Sequence, residues 1–147
     1  MAERTVLESI NGQRLLVSAA PETTVREAAC IMTRASCGSI LVTDTSGGLV
    51  GILTERDLMT RVIAKALDPA STTVAQVMTR NPQCVAPEMT VSAAVLILIE
   101  RGFRHLPILS RNNKIMGVFS VRDALPREID TAESMAEFHD QMNDALG

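Results

Sequence analysis

The 147-residue chain has no Trp and no Tyr, and three Phe are its whole aromatic content. That scarcity argues against a base-stacking platform for nucleic acid and leaves an aliphatic core of Ala, Val, Ile, Leu and Met. The composition is mildly acidic, with a net charge of −3 and no Lys or Arg run. The electrostatic footprint of non-specific DNA or RNA binding, or of adhesion to an anionic membrane, is therefore missing. Local arginines could still hold a phosphate. The longest apolar run, Val91 to Ile99 broken by Ser92, falls far short of the roughly 20 residues that cross a bilayer. No apolar stretch of signal-peptide type follows Met1, and Glu3 and Glu8 stand among the first residues, so a cytoplasmic protein is expected. Cys30, Cys37 and Cys84 are odd in number and lack C-x-x-C spacing. A disulfide framework or a zinc site is not expected from them, and they read as buried, reduced thiols.

What is present is a chain written twice. Ala20-Pro21-Glu22-x-Thr24-Val25 returns as Ala86-Pro87-Glu88-x-Thr90-Val91, and Gly51 and Asp57 return as Gly117 and Asp123, all at a shift of 66. The segment ahead of each copy repeats too: Thr5 to Ile10 resembles Thr73 to Met78 at a shift of 68, two residues of slack. The chain is an internal duplication. The boundaries follow as 1–68 for the first copy with its leading segment, 69–128 for the second with the linker, and 129–147 for a tail. A single copy of about 60 residues is marginal alone, so the two are expected to pack face to face, sheet to sheet, about a pseudo-twofold axis.

Each copy reads strand, helix, strand, turn, strand, helix, an α/β fold of the α+β type. In the first, Leu15–Ala19 is a strand and Thr24 caps a helix to about Ala35 with Val25, Ala28, Ala29 and Met32 on one face. Ser39–Thr43 and Leu49–Leu53 are strands around the turn Asp44 to Gly48, and a helix runs from about Glu55 to Leu67 before Pro69. The second copy predicts a strand at Gln83–Val85, a helix from Thr90 to about Arg101, and strands His105–Leu109 and Ile115–Phe119 turned by Asn112-Asn113. A short helix from Val121 is stopped by Pro126. The tail, Thr131 to Leu146, reads as a separate C-terminal helix with Met135, Phe138, Met142 and Ala145 in one stripe. That stripe wants a partner, either a second copy of the chain or its own domain. The eight Met read mostly as core filler.

The most specific feature is a paired motif, Gly51-Ile52-Leu53-Thr54-Glu55-Arg56-Asp57 and Gly117-Val118-Phe119-Ser120-Val121-Arg122-Asp123. A hydroxyl three residues before a carboxylate at a strand-to-helix junction is a capping box, which needs no ligand. A cap does not require the recurring Arg56 and Arg122. The same geometry suits a nucleotide. Gly without a Cβ admits a flat ring to the backbone, Asp accepts from two ribose hydroxyls, and a helix N-terminus with Arg favours phosphate.

Over nearly its whole length the chain resembles a tandem pair of cystathionine beta-synthase (CBS) domains, the Bateman module. The resemblance rests on the glycine, apolar, x, Thr/Ser, x, x, Asp motif present twice. The Pro21–Val25 and Pro87–Val91 openings, Val77-Met78-Thr79 and Arg104-His105-Leu106-Pro107-Ile108 support it. It implies two clefts for adenine ligands such as AMP, ADP, ATP, NAD(H) or S-adenosylmethionine, with no required cofactor. Asp57 and Asp123 would hold ribose hydroxyls, Thr54 and Ser120 ribose or phosphate, and Ile52 and Val118 would flank adenine. Thr73 and Met78 would face the site of Asp57, and Thr5 and Ile10 that of Asp123. Arg104 and His105 match phosphate-contacting positions, where the first copy has Gly38 and Ser39 but keeps Arg56. The Asp123 cleft should then prefer the more charged ligand.

The function expected is a nucleotide sensor, a homodimer without enzyme activity that signals to a separate effector protein. No Cys/His or Ser/His/Asp arrangement and no metal-ligand cluster has a sequence warrant. A structural dimerisation module with empty clefts is the alternative, because capping boxes on a duplicated fold would look nearly the same.

Overall fold

The computed structural model describes residues 3–11 and 16–146. The chain divides into two compact units, one contiguous, Arg14–Pro82, and one split, Met1–Gln13 with Gln83–Gly147. The sequence boundaries follow chain order. In space the segment before the first copy is grouped with the second copy, the linker with the first, and the tail with the split unit.

The chain opens with the single turn α1 (Val6–Ser9), which belongs to the split unit. The contiguous unit begins at β1 (Ser18–Ala19), shorter than the expected Leu15–Ala19, of which Leu15 lies outside the described residues. Thr24 caps α2 (Val25–Ala35) in a capping box with Glu27, and Val25, Ala28 and Met32 face the core. Cys30 points the other way and is exposed, and Cys37 and Cys84 are only half-buried, so none of the three is the buried thiol expected. Next come β2 (Ser39–Thr43) and β3 (Leu49–Thr54), an antiparallel pair. At their turn the Asp44 carboxylate accepts from the amides of Ser46 and Gly48, and these bonds, with the Ser46 hydroxyl, hold its pKa below the ordinary carboxylate value.

The helix expected over 55–67 is not one regular helix. A single α turn, α3 (Glu55–Asp57), widens into a π-helical stretch, Leu58–Ile63, in which the Ala64 amide donates back to the Met59 carbonyl at 2.9 Å. This wide turn carries Val62 into the core and Arg61 toward the next segment. That segment is α4 (Val74–Val77) followed by β4 (Thr79–Arg80), which pairs antiparallel with β3. The sheet order is β1-β2-β3-β4, with β1 parallel to β2.

In the split unit Thr90 caps α5 (Val91–Arg101), which ends at Gly102 in the left-handed region, φ 71°, where glycine carries no Cβ penalty. The antiparallel strands β5 (His105–Leu109) and β6 (Ile115–Ser120) follow. Val85 adds one parallel bridge beside Ile108 in place of the longer strand expected at Gln83–Val85. A 3-10 turn, Val121–Asp123, leads into α6 (Pro126–Leu146), a single helix of 21 residues. The sequence pattern predicts a stop at Pro126 and a tail helix from Thr131. Pro126 instead starts the helix, because proline suits a first helical turn whose N–H groups have no intrahelical partner. Glu128 reaches back to accept from the Leu125 amide at 2.7 Å. Its neighbours Ile129 and Ala132 pack on the core of Val6, Ile10, Val91, Val95, Leu98, Leu106, Ile108 and Phe119. The stripe Met135, Phe138 and Met142 stays exposed, as do Met59 and Met116, so core filler describes Met32, Met78 and Met89 but not those four methionines.

The duplication extends to the backbone bonds. Thr24 bridges Thr73 in the contiguous unit and Thr5 bridges Thr90 in the split unit, both antiparallel. Val25 N–H donates to the Thr72 carbonyl at 2.8 Å and Val91 N–H to the Arg4 carbonyl at 2.9 Å. Val74 N–H donates to Thr23, and Val6 N–H to Met89, both at 2.8 Å. Thr73 and Thr5 hold these segments with capping boxes of their own, through Gln76 and Glu8.

Candidate functional site

Both copies of the motif fold as the residue types dictate. In the contiguous unit Thr54, at the end of β3, is the cap of α3, and Asp57 is its third residue. The Thr54 amide donates to Asp57 Oδ2 at 3.0 Å and the Asp57 amide to Thr54 Oγ1 at 3.2 Å. In the split unit the Ser120 amide donates to Asp123 Oδ2 at 2.9 Å, and the Ser120 hydroxyl lies 3.5 Å from the same oxygen. Each carboxylate is thereby fixed at the first turn after a strand, with Arg56 or Arg122 beside it on the exposed side. His105 is the register partner of Ser120, so the end of β5 brings His105 and the preceding, exposed Arg104 to the Asp123 motif. The corresponding pair in the contiguous unit is Ser39 with Thr54.

The surroundings of the two carboxylates differ. Asp57 is 5% exposed, and its Oδ1 lies 3.4 Å from Thr79 Oγ1 and 3.6 Å from Arg61 Nε. Arg61 also donates through Nη1 to the carbonyls of Val77 (3.2 Å) and Met78 (3.0 Å), tying the α4–β4 segment to the motif. Asp123 is half-buried. Its backbone carbonyl, not its carboxylate, accepts from Arg4 Nη2 at 2.9 Å.

The segments expected to close the two sites are present, with different residues in contact. Thr73 is engaged with Thr24 and Gln76, and Thr79 is the hydroxyl on Asp57. Met78 is buried, and its sulfur occupies the space a Cβ on Gly51 would need, with the Thr79 carbonyl 3.0 Å from that point. The room left by Gly51 is therefore filled by the chain itself, not held open for a flat ring. Ile52, register partner of Thr79, is buried, and Val118 is half-buried opposite Pro107. In the split unit Ile10 is a core residue, Thr5 sits at the Thr90 bridge, and Arg4 beside it makes the contact to the motif.

Sequence reasoning missed four polar groups: Arg61, Thr79, Arg4 and Glu128. Arg4 and Glu128 form a bidentate ion pair, Nε to Oε2 at 3.1 Å and Nη2 to Oε1 at 2.8 Å. The Arg4 hydrogen bond holds the Glu128 carboxyl below its ordinary pKa, with help from the Leu125 amide against desolvation, and Glu128 raises that of Arg4 in turn. Neither residue repeats. The positions matching them by the two shifts are Thr72 and Val62. Arg61 does have a counterpart in Arg127, but that side is exposed.

An open cleft of about 550 Å³ lies at the other end of the β5–β6 hairpin, lined by residues including Cys84, Glu88, Ser110, Arg111 and Asn113, and no motif residue lines it. Burial pushes the Cys84 thiol up, away from thiolate reactivity. Among the described residues no helix is long and apolar enough to cross a membrane, and no three His, Cys, Asp or Glu are grouped as metal ligands.

Comparison with known proteins gives the same organisation. A protein of 17.7 kDa from Acidianus ambivalens is 37% identical over 103 residues, 70% of this chain and 61% of its own length. A CBS domain-containing protein of Arabidopsis thaliana is 35% identical over 135 residues, 92% of this chain, but the match spans only 25% of that protein. Among solved structures, a CBS domain protein from Pyrobaculum aerophilum complexed with AMP is 25% identical, with a TM-score of 0.76 over 86% of this chain and 95% of that one. The CBS domain profile matches residues 14–64 and again 74–128. With its two caps, two Asp motifs and doubled backbone bonds, the chain belongs to the CBS domain family as a tandem pair.

Proposed function

We propose that the protein is a regulatory module that binds an adenine nucleotide of the AMP, ADP, ATP or NAD(H) type, acts as a homodimer and signals to a separate partner protein. The observation that carries the reading is the twin placement of Asp57 and Asp123. Each is a carboxylate locked by its own capping box at the start of a helix, where two acceptor oxygens suit a pair of ribose hydroxyls. The AMP complex of the Pyrobaculum relative supports the ligand class. The Asp123 motif is the favoured seat. It has His105 and Arg104 at hand for phosphate, whereas Asp57 already faces Arg61 and Thr79. Thr54, Arg56, Ile52, Thr73 and Met78 belong to the first site, and Ser120, Arg122, Val118, Thr5 and Ile10 to the second.

The module binds and does not transform. Its signal is a change of population between conformations, driven by a ligand that favours one of them. Isothermal titration of the purified chain with AMP, ADP, ATP, NAD and NADH tests the reading, and saturable binding of at least one of them is the expected outcome. A second reading, a dimerisation module without a physiological ligand, has one observation in its favour. Both capping boxes are satisfied by the chain's own atoms. Absence of binding by every nucleotide, in protein first stripped of co-purified ligand, would make it the better account.

A further inference from the structure

The contact between Arg4 and the Asp123 turn belongs to a larger arrangement. One guanidinium holds the Asp123 carbonyl at 2.9 Å and both oxygens of Glu128, a side chain that is almost fully buried. Glu128 in turn fixes the Leu125 amide at the start of α6. Three pieces of chain, the segment ahead of α1, the motif turn and the first turn of α6, thus meet on one ion pair. A planar fork paired with a carboxylate transmits geometry better than a point charge, because both bonds must move together. A glutamate buried this far would be left as an uncompensated charge if Arg4 withdrew. Among the described residues of the contiguous unit there is no such device. There Arg61 faces the Asp57 carboxylate itself, so a ligand arriving at Asp57 competes with an internal cation, whereas Arg4 grips the Asp123 backbone and leaves the carboxylate's task to the Ser120 cap.

We propose that Arg4 and Glu128 form a latch that positions the Ser120–Asp123 turn for the nucleotide and couples occupancy of that turn to the anchoring of the first turn of α6. The proposal rests on the nucleotide-binding reading above. Arg4 and Glu128 are positioning residues that touch the motif and the helix. The latch makes α6, with its exposed Met135, Phe138 and Met142, the element through which the state of the Asp123 site is displayed.

The test is hydrogen exchange on the full chain, with and without AMP, alongside titration of AMP by calorimetry. In the wild-type protein AMP should slow exchange at residues 126–132 several-fold. Glu128→Gln should bind AMP several-fold more weakly and lose that slowing, while Arg4→Lys, which keeps the charge but not the fork, should retain part of it. Arg4→Lys also carries the test if Glu128→Gln does not fold. His139→Ala, on the same helix but paired with Glu100, should leave affinity and slowing as they are. A latch variant that binds AMP and slows exchange at 126–132 as the wild type does would overturn the proposal while leaving the nucleotide reading intact. If the wild type binds neither AMP nor any of the other nucleotides titrated above, the nucleotide reading fails, and the coupling is read without ligand. Asp123→Ala should then speed exchange at 126–132 in the wild-type background and do so less in Arg4→Lys. No change in either background would sink the latch.

Discussion

Asp57 and Asp123 are the same residue in two copies of one motif, and what separates them is which atoms already claim their oxygens. Asp123→Ala removes half of a capping box at a half-buried site, so folding stability should fall by about 1 kcal/mol in chemical denaturation. Nucleotide affinity should fall by roughly 1.5–3 kcal/mol in calorimetry, the scale of hydrogen bonds to a charged group. Asp57→Ala should cost more stability, roughly 2 kcal/mol, because it also removes the partner of Thr79 Oγ1 and the carboxylate facing Arg61 at a buried site. Gly51→Ala drives a methyl group into the Met78 sulfur and toward the Thr79 carbonyl. It should cost about 1–3 kcal/mol, the range for overpacking. Met78→Ala should cost less in this variant than in the wild type, since the clash with the thioether goes with it, and a double-mutant cycle reads that difference. Unchanged melting of the single variant would show that the Gly51 space is not filled as described. At this scale the sequence was legible where a residue type recurs. Thr54, Asp57, Ser120 and Asp123 announced their caps. Arg4 and Glu128 did not, because comparison of the copies sets them against Thr72 and Val62, and an ion pair present once has no period to betray it.

The elements that departed from expectation are those whose ends are set by tertiary contacts. Nothing in Leu58–Ile63 marks a widened helix, since its spacing fits an ordinary one, and the wide turn is explained by the burial of Val62 and the reach of Arg61 to two carbonyls of the α4–β4 segment. For α6, the proline that sequence rules read as a stop serves as a start, and Glu128 supplies the return bond. The capped helices α2 and α5 and the hairpin strands were legible to within a residue, because hydroxyl caps and turn residues bound them on both sides. Glu128 also makes α6 sensitive to acid. Its carboxyl lies below its ordinary value near 4.5 in the folded protein. The stability it contributes is therefore complete above that value and lost as the pH falls through the lower, folded one. In thermal melts from about pH 7 to about pH 3, Glu128→Gln should lose less stability on acidification than the wild type. Steeper loss in the variant would contradict this. Along the exposed side of α6, Met135→Glu with Met142→Glu should leave the fold within about 0.5 kcal/mol of wild type, as surface changes do. If the proposed homodimer pairs through this stripe, sedimentation velocity should show a dimer in the wild type and a monomer in the variant, whereas a variant that stays dimeric would move the contact off α6.

For the whole molecule, the duplication was legible from the constant shift, and the resemblance already set Thr73 and Met78 beside Asp57 and Thr5 and Ile10 beside Asp123, although boundaries drawn in chain order, 1–68 and 69–128, divide those groups. That grouping has a direct test. A polypeptide of residues 14–82 retains the Thr24–Thr73 bridge, the paired β3 and β4, and the buried Val74, Val77 and Met78. One of residues 1–68, cut at the sequence repeat, lacks all of these. Circular dichroism melts should show a cooperative transition for 14–82 and a weaker or absent one for 1–68, each near the size at which a lone domain is marginal. Equal melts would mean that the α4–β4 segment adds nothing to the fold. The split unit has a further consequence during synthesis on the ribosome. Residues 14–82 emerge as a complete set and can close as soon as β4 is free of the exit tunnel. The nascent α1 turn, whose Val6 and Ile10 belong to the other core, has no partner until α5 and β5 have been made. While residues 14–82 are being made, those two apolar side chains are without the core they pack in, and a chaperone that shields short hydrophobic segments has them to bind.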